Sequence, residues 1–396
     1  YPENTVAAVE AAGKDPESVN PRYRIRGNGL RDWTPTLTAV ELAKSAFTTN
    51  GVKATDPSGV EPIRAAEPGE FVFKVEGANV IPSLRIRAAV TRKSAEDLAA
   101  LAVSTTNGLA WKEVWRAEET GQIPVDLRLV EPVNGAYEVL VKVTLMGKTA
   151  AADAGLRSIA FQAVTQLNSK TLPRLRLGKN TVCVAAGEQT ESIVLWPDLS
   201  RPDYKAYVVE AKNVVQPERV GYQASLCAAR GGEDAYVVFR IDAPSDVTRV
   251  TYGGRFYNRG PEAHVDLLHS FDGGKTWVES YSLVDTTPPW DVIHYEKVEN
   301  VPAGTNRVLF KYRWSAANAG RDVCGPYAVR MEAAHRSADA GPKPMEVTFA
   351  WNERQDDYTA IQRSHTQLVE KPGETYVINV GGVDHPVVDS LRVSLA

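Results

Sequence analysis

The chain has 396 residues, of which 43% are hydrophobic and 24% are charged, and its formal net charge is −4. A chain of this length divides into two or three domains, and its balance of apolar and charged residues is typical of a folded protein rather than a disordered one. The negative net charge disfavours a nucleic-acid partner, and no run of about 20 apolar residues predicts a membrane-spanning helix.

The N-terminal part of the sequence is interrupted by prolines and glycines and has no regular hydrophobic period. The chain begins at Tyr1 instead of Met, and no charged segment followed by an apolar one comes after it. This start indicates that a leader or a larger N-terminal part was removed, or that the sequence is a fragment of a longer protein. Residues 1–65 carry prolines and glycines between short runs, which predicts an N-terminal extension docked on the module that follows.

Two long segments, 66–205 and 206–343, contain many stretches that alternate apolar and polar residues. Examples are FVFKV, LRIRAAV and YEVLVKVTL in the first segment, and YVVFRI, VTRVTYGG and RVLFKYRW in the second. Alternation with period two puts one face of a strand on a core and the other in water, as in antiparallel sandwiches. Strand-rich arms follow at 175–200, inside the first segment, and at 344–396, and each is predicted to close or extend its own module.

The two segments also resemble each other in sequence. Four pairs of blocks keep one order and a nearly constant offset: 70–75 with 236–241, 104–111 with 270–277, 139–142 with 308–311, and 153–163 with 322–333. Small insertions between strand-like blocks are what duplication followed by loop drift leaves. The sequence therefore predicts an all-β chain of two duplicated antiparallel β-sandwich domains, jelly-roll or immunoglobulin-like, with strand-rich arms.

The segment SFDGGKTW at 270–277 fits the Asp-box pattern S-x-D-x-G-x-T-W at every fixed position. It resembles the hairpin turn that recurs in sialidases and in other secreted, sugar-active β proteins. In such a turn Asp272 is expected to accept backbone N–H groups, Gly274 to take a positive φ, and Trp277 to pack back on the sheet. The resemblance implies a structural turn and a secreted, carbohydrate-linked setting, without an active site. The turn residues are Ser270, Asp272, Gly274, Thr276 and Trp277.

The first segment carries a weaker version of this turn. Thr106 stands at the position of Asp272, and Ala110 at that of Thr276, so we expect the turn to persist without its polar bracing. More broadly, each copy resembles the jelly-roll carbohydrate-binding or galactose-binding-like modules attached to polysaccharide-degrading enzymes. YVVEAKNV before the second copy and YAVRMEA as a closing strand fit that shape, and the resemblance implies a polysaccharide or glycoprotein glycan as partner.

Candidate carbohydrate-binding residues come from two aromatic clusters, because the apolar face of a sugar stacks on an aromatic ring beside polar side chains. Trp290 follows two prolines in TTPPWD at 286–291, and the prolines stiffen the loop that presents the indole. Tyr252, Arg255 and Tyr257 lie together in TYGGRFYNRG. The alternative interpretation is that Trp290 caps the core at a sandwich edge while the tyrosines pair across strands.

The cysteines suggest one bridge. Cys227 and Cys324 are both present in the second copy, and the aligned positions in the first copy hold Glu61 and Ala154, as for a bonded pair. We therefore weigh a disulfide, which implies an oxidising compartment, against two separate buried thiols. Cys183, inside an apolar alternation, is predicted to be a small buried hydrophobe.

No cofactor or metal ligand set is predicted from the sequence. Jelly-roll modules of the kind this chain resembles use calcium structurally, which the resemblance allows, but no loop has the DxDxDG spacing that predicts such a site. No HExxH, CxxC, GxSxG or Walker motif occurs.

Three functions follow as hypotheses. The preferred one is a secreted, non-catalytic glycan-recognition protein or accessory region of a polysaccharide-active system, placed extracellularly, at the cell surface or in the periplasm. The second is a structural cell-surface or assembly protein that uses its sandwiches as spacers and docking faces for other protein modules or subunits. The third is an enzyme whose residues come from the junction between the modules.

Overall fold

The computed structural model describes residues 28–166, 173–184, 190–217, 225–260, 262–284, 287–288, 290–316, 323–337 and 343–395. In these ranges nearly all regular structure is antiparallel sheet, with one short helix, α1 (Ala39–Ser45), and two short 3₁₀ segments, Ala151–Asp153 and Pro202–Tyr207. The predicted all-β architecture of two antiparallel sandwiches with strand-rich arms is confirmed.

The first sandwich is built from eleven strands in two sheets. They are β1 (Asn28–Trp33), β2 (Ala46–Asn50), β3 (Val52–Ala54), β4 (Val60–Pro62), β5 (Gly69–Ile81), β6 (Ser83–Arg92), β7 (Leu98–Ser104), β8 (Lys112–Arg116), β9 (Gly121–Leu129), β10 (Ala136–Met146) and β11 (Ala154–Gln166). One sheet has the order β3-β4-β11-β6-β9, with β1 also on β11, and the other has the order β2-β5-β10-β7-β8. Their facing apolar residues form one buried core that includes Phe71, Phe73 and Phe161.

The predicted N-terminal extension is part of this sandwich where the structure describes it. Strands β1 to β4 pair with β5 and β11 or with each other, so residues 28–62 complete both sheets rather than docking on a finished module. Glycine and proline marked the turns between these short strands in the sequence. The sequence did not indicate that the strands pair with β5 and β11, which lie further along the chain. Residues 1–27 are outside the described ranges.

The second sandwich repeats the strand order of the first. Its strands are β13 (Thr190–Leu195), β14 (Val208–Lys212), β15 (Val214–Val215), β16 (Cys227–Ala228), β17 (Ala235–Asp242), β18 (Val247–Asn258), β19 (Ala263–Ser270), β20 (Val278–Leu283), β21 (Asp291–Val298), β22 (Arg307–Ala316) and β23 (Cys324–Arg336). The order β14-β17-β22-β19-β20 matches β2-β5-β10-β7-β8, and β23-β18-β21 matches β11-β6-β9. The aligned sequence blocks fall on matching strands or on the turns after them; an origin by duplication stays a prediction.

The two sandwiches belong to one compact unit, together with the contacts between them. The Lys74 ammonium of β5 donates to the carbonyl oxygen of Ser192 in β13, at 2.9 Å. Asn107 Nδ2, in the turn after β7, donates to the carbonyl oxygen of Asp242 at 3.0 Å. These hydrogen bonds tie the first sandwich to strands of the second.

The arms form a second unit instead of closing their own modules. It contains β12 (Gly178–Cys183), β24 (Met345–Arg354), β25 (Ala360–Val369), β26 (Thr375–Val380) and β27 (Val387–Leu395). Strand β12 pairs with β26, and β24 lies between β25 and β27. The expectation that each arm serves its own sandwich is wrong, because β12 pairs across almost 200 residues and β13, from the same predicted arm, joins β23 of the second sandwich.

The three cysteines carry thiols, and Cys227 and Cys324 are not joined by a disulfide. Both are completely buried, and the Cys324 Sγ donates to the carbonyl oxygen of Ser315 at 3.3 Å. Burial raises the pKa of Cys324 to about 12, so its thiol stays protonated. Cys183 is exposed, against expectation, because Val182 and Val184 take the core-facing phase of the alternation.

Thiol titration checks this arrangement directly. In the native protein we expect one thiol, Cys183, to react rapidly with an aromatic disulfide reagent, because the other two are buried. After unfolding without reductant, all three should react. Only one reactive thiol in the unfolded chain would mean that Cys227 and Cys324 are bonded in the protein as isolated.

Candidate functional site

Three of the four residues predicted to bind carbohydrate lie in one arrangement at the end of β18. The guanidinium carbon of Arg255 lies 4.8 Å from the ring centre of Tyr327, whose ring meets that of Tyr257 edge-on at 5.8 Å. The guanidinium of Arg259 lies between Tyr257, at 5.3 Å, and Trp290, at 4.9 Å. We call these five residues the arginine–aromatic ladder.

Neighbouring strands bring the ladder together. Arg255 and Tyr257 lie two residues apart on β18, and Tyr257 is paired with Asp291 of β21 on one side and with Gly325 of β23 on the other. Tyr327 therefore enters from β23, and Trp290 from the turn that leads into β21.

Backbone hydrogen bonds of Trp290 hold the turn that carries this residue. Trp290 has a φ of 60°, its N–H donates to the carbonyl oxygen of Thr287, and its carbonyl oxygen accepts from the N–H of Asn258, both at 3.0 Å. A positive φ at a bulky residue is unusual and persists only where surrounding contacts impose it. Thr286 and Pro289, two members of the predicted stiff loop, lie outside the described residues.

The two arginines differ in their electrostatic surroundings. Arg255 donates from Nε to the carboxylate of Asp291 at 2.9 Å, and that hydrogen bond raises the pKa of Arg255. Within the described ranges, Arg259 is exposed and makes no ion pair; its cation rests on two ring faces. The N–H groups at the edge of a guanidinium stacked in this way can donate to a ligand.

Tyr257 supports the ladder from inside. It is only 4% exposed, its phenol oxygen has no hydrogen-bond partner among the described residues, and burial raises the pKa of Tyr257. The ring faces Arg259 and Tyr327 rather than solvent, so Tyr257 positions these side chains and offers no free face to a sugar.

Tyr252 is a core residue, so the prediction that it binds carbohydrate is wrong. It is fully buried beside Phe310 and Tyr312, and its hydroxyl lies 3.0 Å from Ser280 Oγ and 3.1 Å from His269 Nδ1. Burial raises the pKa of Tyr252 well above its usual value. On alternating β18, Tyr252 and Arg255 have opposite orientations, which explains why one is inside and the other outside.

The segment 270–277 forms a braced turn between β19 and β20. Asp272 Oδ1 accepts from the backbone N–H of Thr276 at 2.9 Å, and Oδ2 accepts from its hydroxyl at 2.7 Å. Ser270 Oγ accepts from the N–H of Gly274, at 2.9 Å, where φ is 90°. These hydrogen bonds, those to Thr276 foremost, lower the pKa of Asp272 to about 2. Trp277 packs under the ammonium of Lys311, 3.9 Å from the ring centre.

The turn after β7 keeps more of this bracing than the sequence predicted. The hydroxyl of Thr106 accepts from the N–H of Ala110 at 2.8 Å, and Ser104 Oγ accepts from Gly108 at 3.0 Å. Lys142 stacks on Trp111 at 4.6 Å, as Lys311 does on Trp277. The expected loss of polar bracing is wrong, because a threonine hydroxyl reproduces one of the carboxylate contacts.

Sequence reasoning missed Arg259 and Tyr327. Arg259 is the penultimate residue of the segment TYGGRFYNRG, and Tyr327 opens the closing strand YAVRMEA. Arg259 lies two residues after Tyr257, and this proximity could have indicated it from the sequence. Only strand pairing shows that Tyr327 lies beside them. In the part of the chain that the structure describes, no cluster of three or more His, Cys, Asp or Glu residues can hold a metal ion, and no helix is long and apolar enough to cross a membrane.

Comparison with known proteins gives only distant likeness. No family model and no curated protein sequence matches the chain. The N-terminal CBM22-1-CBM22-2 tandem domain of Paenibacillus barcinonensis Xyn10C is similar with 12% identity and a TM-score of 0.25, over 78% of this chain and 98% of that one. The ANXUR1 extracellular domain from Arabidopsis thaliana has 8% identity and a TM-score of 0.25, over 78% and 97%. TmCBM61 in complex with beta-1,4-galactotriose has 14% identity and a TM-score of 0.19, over 34% and 83%. Likeness at this level does not assign a ligand.

Proposed function

We propose that this chain is a non-catalytic glycan-recognition protein or an accessory region of a polysaccharide-active system that acts outside the cytoplasm. The observation that carries the proposal is the arginine–aromatic ladder at the end of β18. It combines rings with guanidinium donors on one surface, which is the combination that binds the apolar faces and hydroxyl groups of sugars.

Three members of the ladder, Trp290, Tyr327 and Arg259, contact the sugar in this proposal. Trp290 and Tyr327 are half-buried, so each ring is held in place while an edge or face stays accessible. Arg259 is exposed and supplies N–H donors for sugar hydroxyl oxygens. Because these groups are already positioned by stacking, little conformational entropy is lost on binding.

Affinity electrophoresis tests the proposal. The full chain is run through gels that contain xylan, mixed-linkage β-glucan, galactan or polygalacturonate, beside Trp290→Ala and Arg259→Gln. We expect at least one polysaccharide to retard the parent chain, and each substitution to weaken binding about tenfold, the loss that corresponds to roughly 1.4 kcal/mol.

Trp277→Ala is the matched control. Trp277 is also half-buried under a cation, but it belongs to the turn between β19 and β20 instead of the ladder. Retardation that Trp277→Ala retains and Trp290→Ala loses supports the proposed site. Equal losses in both variants, or no retardation in any gel, would contradict it.

The structural-protein alternative is favoured by one observation in the arm unit. Strand β27 exposes three large apolar residues: Val387 at 64%, Val393 at 53% and Leu395 at 67%. A sheet edge of this kind can pair or pack with another chain. The absence of glycan binding together with self-association of the chain would favour this second function.

A further inference from the structure

A second aromatic group lies beside the β23-β18-β21 sheet, at the junction of the two sandwiches. The rings of Tyr137, from β10, and Trp196, which follows β13, are 5.4 Å apart and tilted by 37°. The guanidinium carbon of Arg330, in β23, lies 5.7 Å from the ring centre of Tyr137. Trp196 is 46% exposed. Tyr137 of the first sandwich and Trp196, which follows β13 of the second, thus form an aromatic wall at the junction of the two sandwiches.

The sheet surface next to this wall has a gap at a glycine. Tyr295 of β21 and Arg330 of β23 both pair with Gly253 of β18, so the three residues form one row across the strands. Tyr295 is 45% exposed, and no side chain rises between it and Arg330. A Cβ at Gly253 would lie 2.1 Å from the carbonyl oxygen of His294, so the close approach of the strands requires the glycine.

This row continues into the arginine–aromatic ladder. The next outward-facing row pairs Arg255 with Ile293, which is 71% exposed, and with Ala328. Tyr257 lies four residues from Gly253 along β18, a distance of about 13 Å at the usual rise of a strand. Exposed rings and guanidinium groups therefore follow one strand direction from the junction to Trp290.

From this alignment, and resting on the proposed function, we infer that the outer face of the β23-β18-β21 sheet binds an extended polysaccharide chain along its length. The ladder holds one part of the chain, and Tyr295, Trp196 and Tyr137 stack on sugar units several residues away. A site of this shape recognises the interior of a linear polymer rather than a single terminal sugar. The row of Tyr295, Gly253 and Arg330 forms the floor on which the chain lies.

A length series tests the inference. Isothermal titration is made with the disaccharide and the hexasaccharide of xylan, galactan and polygalacturonate, against the parent chain, Trp196→Ala, Tyr295→Ala and Trp290→Ala. We expect one hexasaccharide to bind at least about tenfold more tightly than its disaccharide, since further rings add stacking contacts. Trp196→Ala and Tyr295→Ala should remove that advantage and leave disaccharide binding unchanged, while Trp290→Ala weakens both ligands.

The outcomes separate the two proposals. Hexasaccharide binding that Trp196→Ala and Tyr295→Ala leave intact, with Trp290→Ala impaired, overturns the extended site and leaves the ladder as the glycan site. Loss in Trp196→Ala with Trp290→Ala unaffected overturns the ladder as part of the site. Equal affinity of the parent chain for both lengths also overturns the extended site. Because Trp196 and Tyr295 are both well exposed, these substitutions are expected to leave the thermal unfolding of the protein unchanged.

Discussion

Replacing Glu138 with glutamine is expected to stabilise the protein at about pH 8 by on the order of 3 kcal/mol and to flatten the dependence of its stability on pH. Glu138 lies in β10, is only 7% exposed, and has one carboxyl oxygen without a hydrogen-bond partner among the described residues. A carboxylate in such a place costs far more free energy than a neutral acid or an amide.

The surroundings of Glu138 explain its protonation. The pKa of Glu138 is raised to about 8; burial is the largest cause, and the carboxylates of Glu76 and Glu332 act in the same direction. The ammonium of Lys74 and the backbone N–H of Val194 act in the opposite direction and do not compensate. Lys74 itself is 2.8 Å from Glu76, with which it is paired. A pKa of about 8 keeps Glu138, at the interface between the sandwiches, mostly protonated near neutral pH.

The sign of the pH dependence follows from this shift. The pKa of Glu138 is raised from 4.5 to about 8 on folding. Its contribution to the free energy of unfolding is complete below the unfolded value and is lost as pH rises to about 8. Glu138→Gln carries no charge in either state, so this slope disappears. Burial is the first cause of the lowered pKa values of His269 and His335, so the folded protein loses stability as these groups protonate towards acid pH. This contribution is the same in the parent and in Glu138→Gln.

Urea unfolding between about pH 5 and about pH 8.5 measures the effect as the difference in midpoint between parent and variant. The difference between the two proteins cancels the histidine contributions. Glu131→Gln is the matched control, because the Glu131 side chain is 91% exposed and carries no burial penalty. A constant difference between parent and Glu138→Gln across this range would show that Glu138 is ionised in the folded protein.

The strands of the sandwiches could be predicted because the apolar–polar alternation that marks each strand lies within its own sequence. Alternation in FVFKV and YVVFRI marks strands β5 and β17, and the order of the aligned blocks identifies matching strands in each copy. The arms were not predictable in the same way. Nothing in the residues of β12 indicates β26 as its partner, because strand pairing across such a separation depends on the rest of the fold.

Only part of the candidate site could be predicted, because the sequence identifies the residues but not the orientation of their side chains. Trp290, Arg255 and Tyr257 could be selected as polar and aromatic residues in segments rich in turn formers, and they do lie together. The orientation of each side chain depends on the phase of β18, which is disturbed by a register shift between Arg255 and Phe256. The phase of β18 places Tyr252 in the core, and the pairing of β21 with β18 leaves Tyr295 exposed, a difference that the residue types alone do not show.

Asn258→Ala is expected to reduce the stability of the protein by about 3 kcal/mol and to abolish glycan binding by the ladder. Asn258 is completely buried at the end of β18. Its Nδ2 donates to the carbonyl oxygens of Ala263, at 2.9 Å, and Leu283, at 3.1 Å, and its Oδ1 accepts from the N–H of Gly260 at 3.1 Å. Alanine leaves these buried groups without partners, and each costs about 1–3 kcal/mol.

Asn258 also positions the ladder, because its neighbour is Arg259 and its own N–H holds the carbonyl oxygen of Trp290. Urea unfolding and affinity electrophoresis measure the two effects on the same protein. Asn352→Ala is the control: its Nδ2 also donates, to Asp389 at 2.6 Å, but at an exposed place where water replaces the lost hydrogen bond. Asn258→Asp should be at least as harmful as Asn258→Ala, since a carboxylate cannot donate to Ala263 and Leu283. A stable Asn258→Asp variant with unchanged glycan affinity would show that the buried amide is not what holds Arg259 and Trp290 in place.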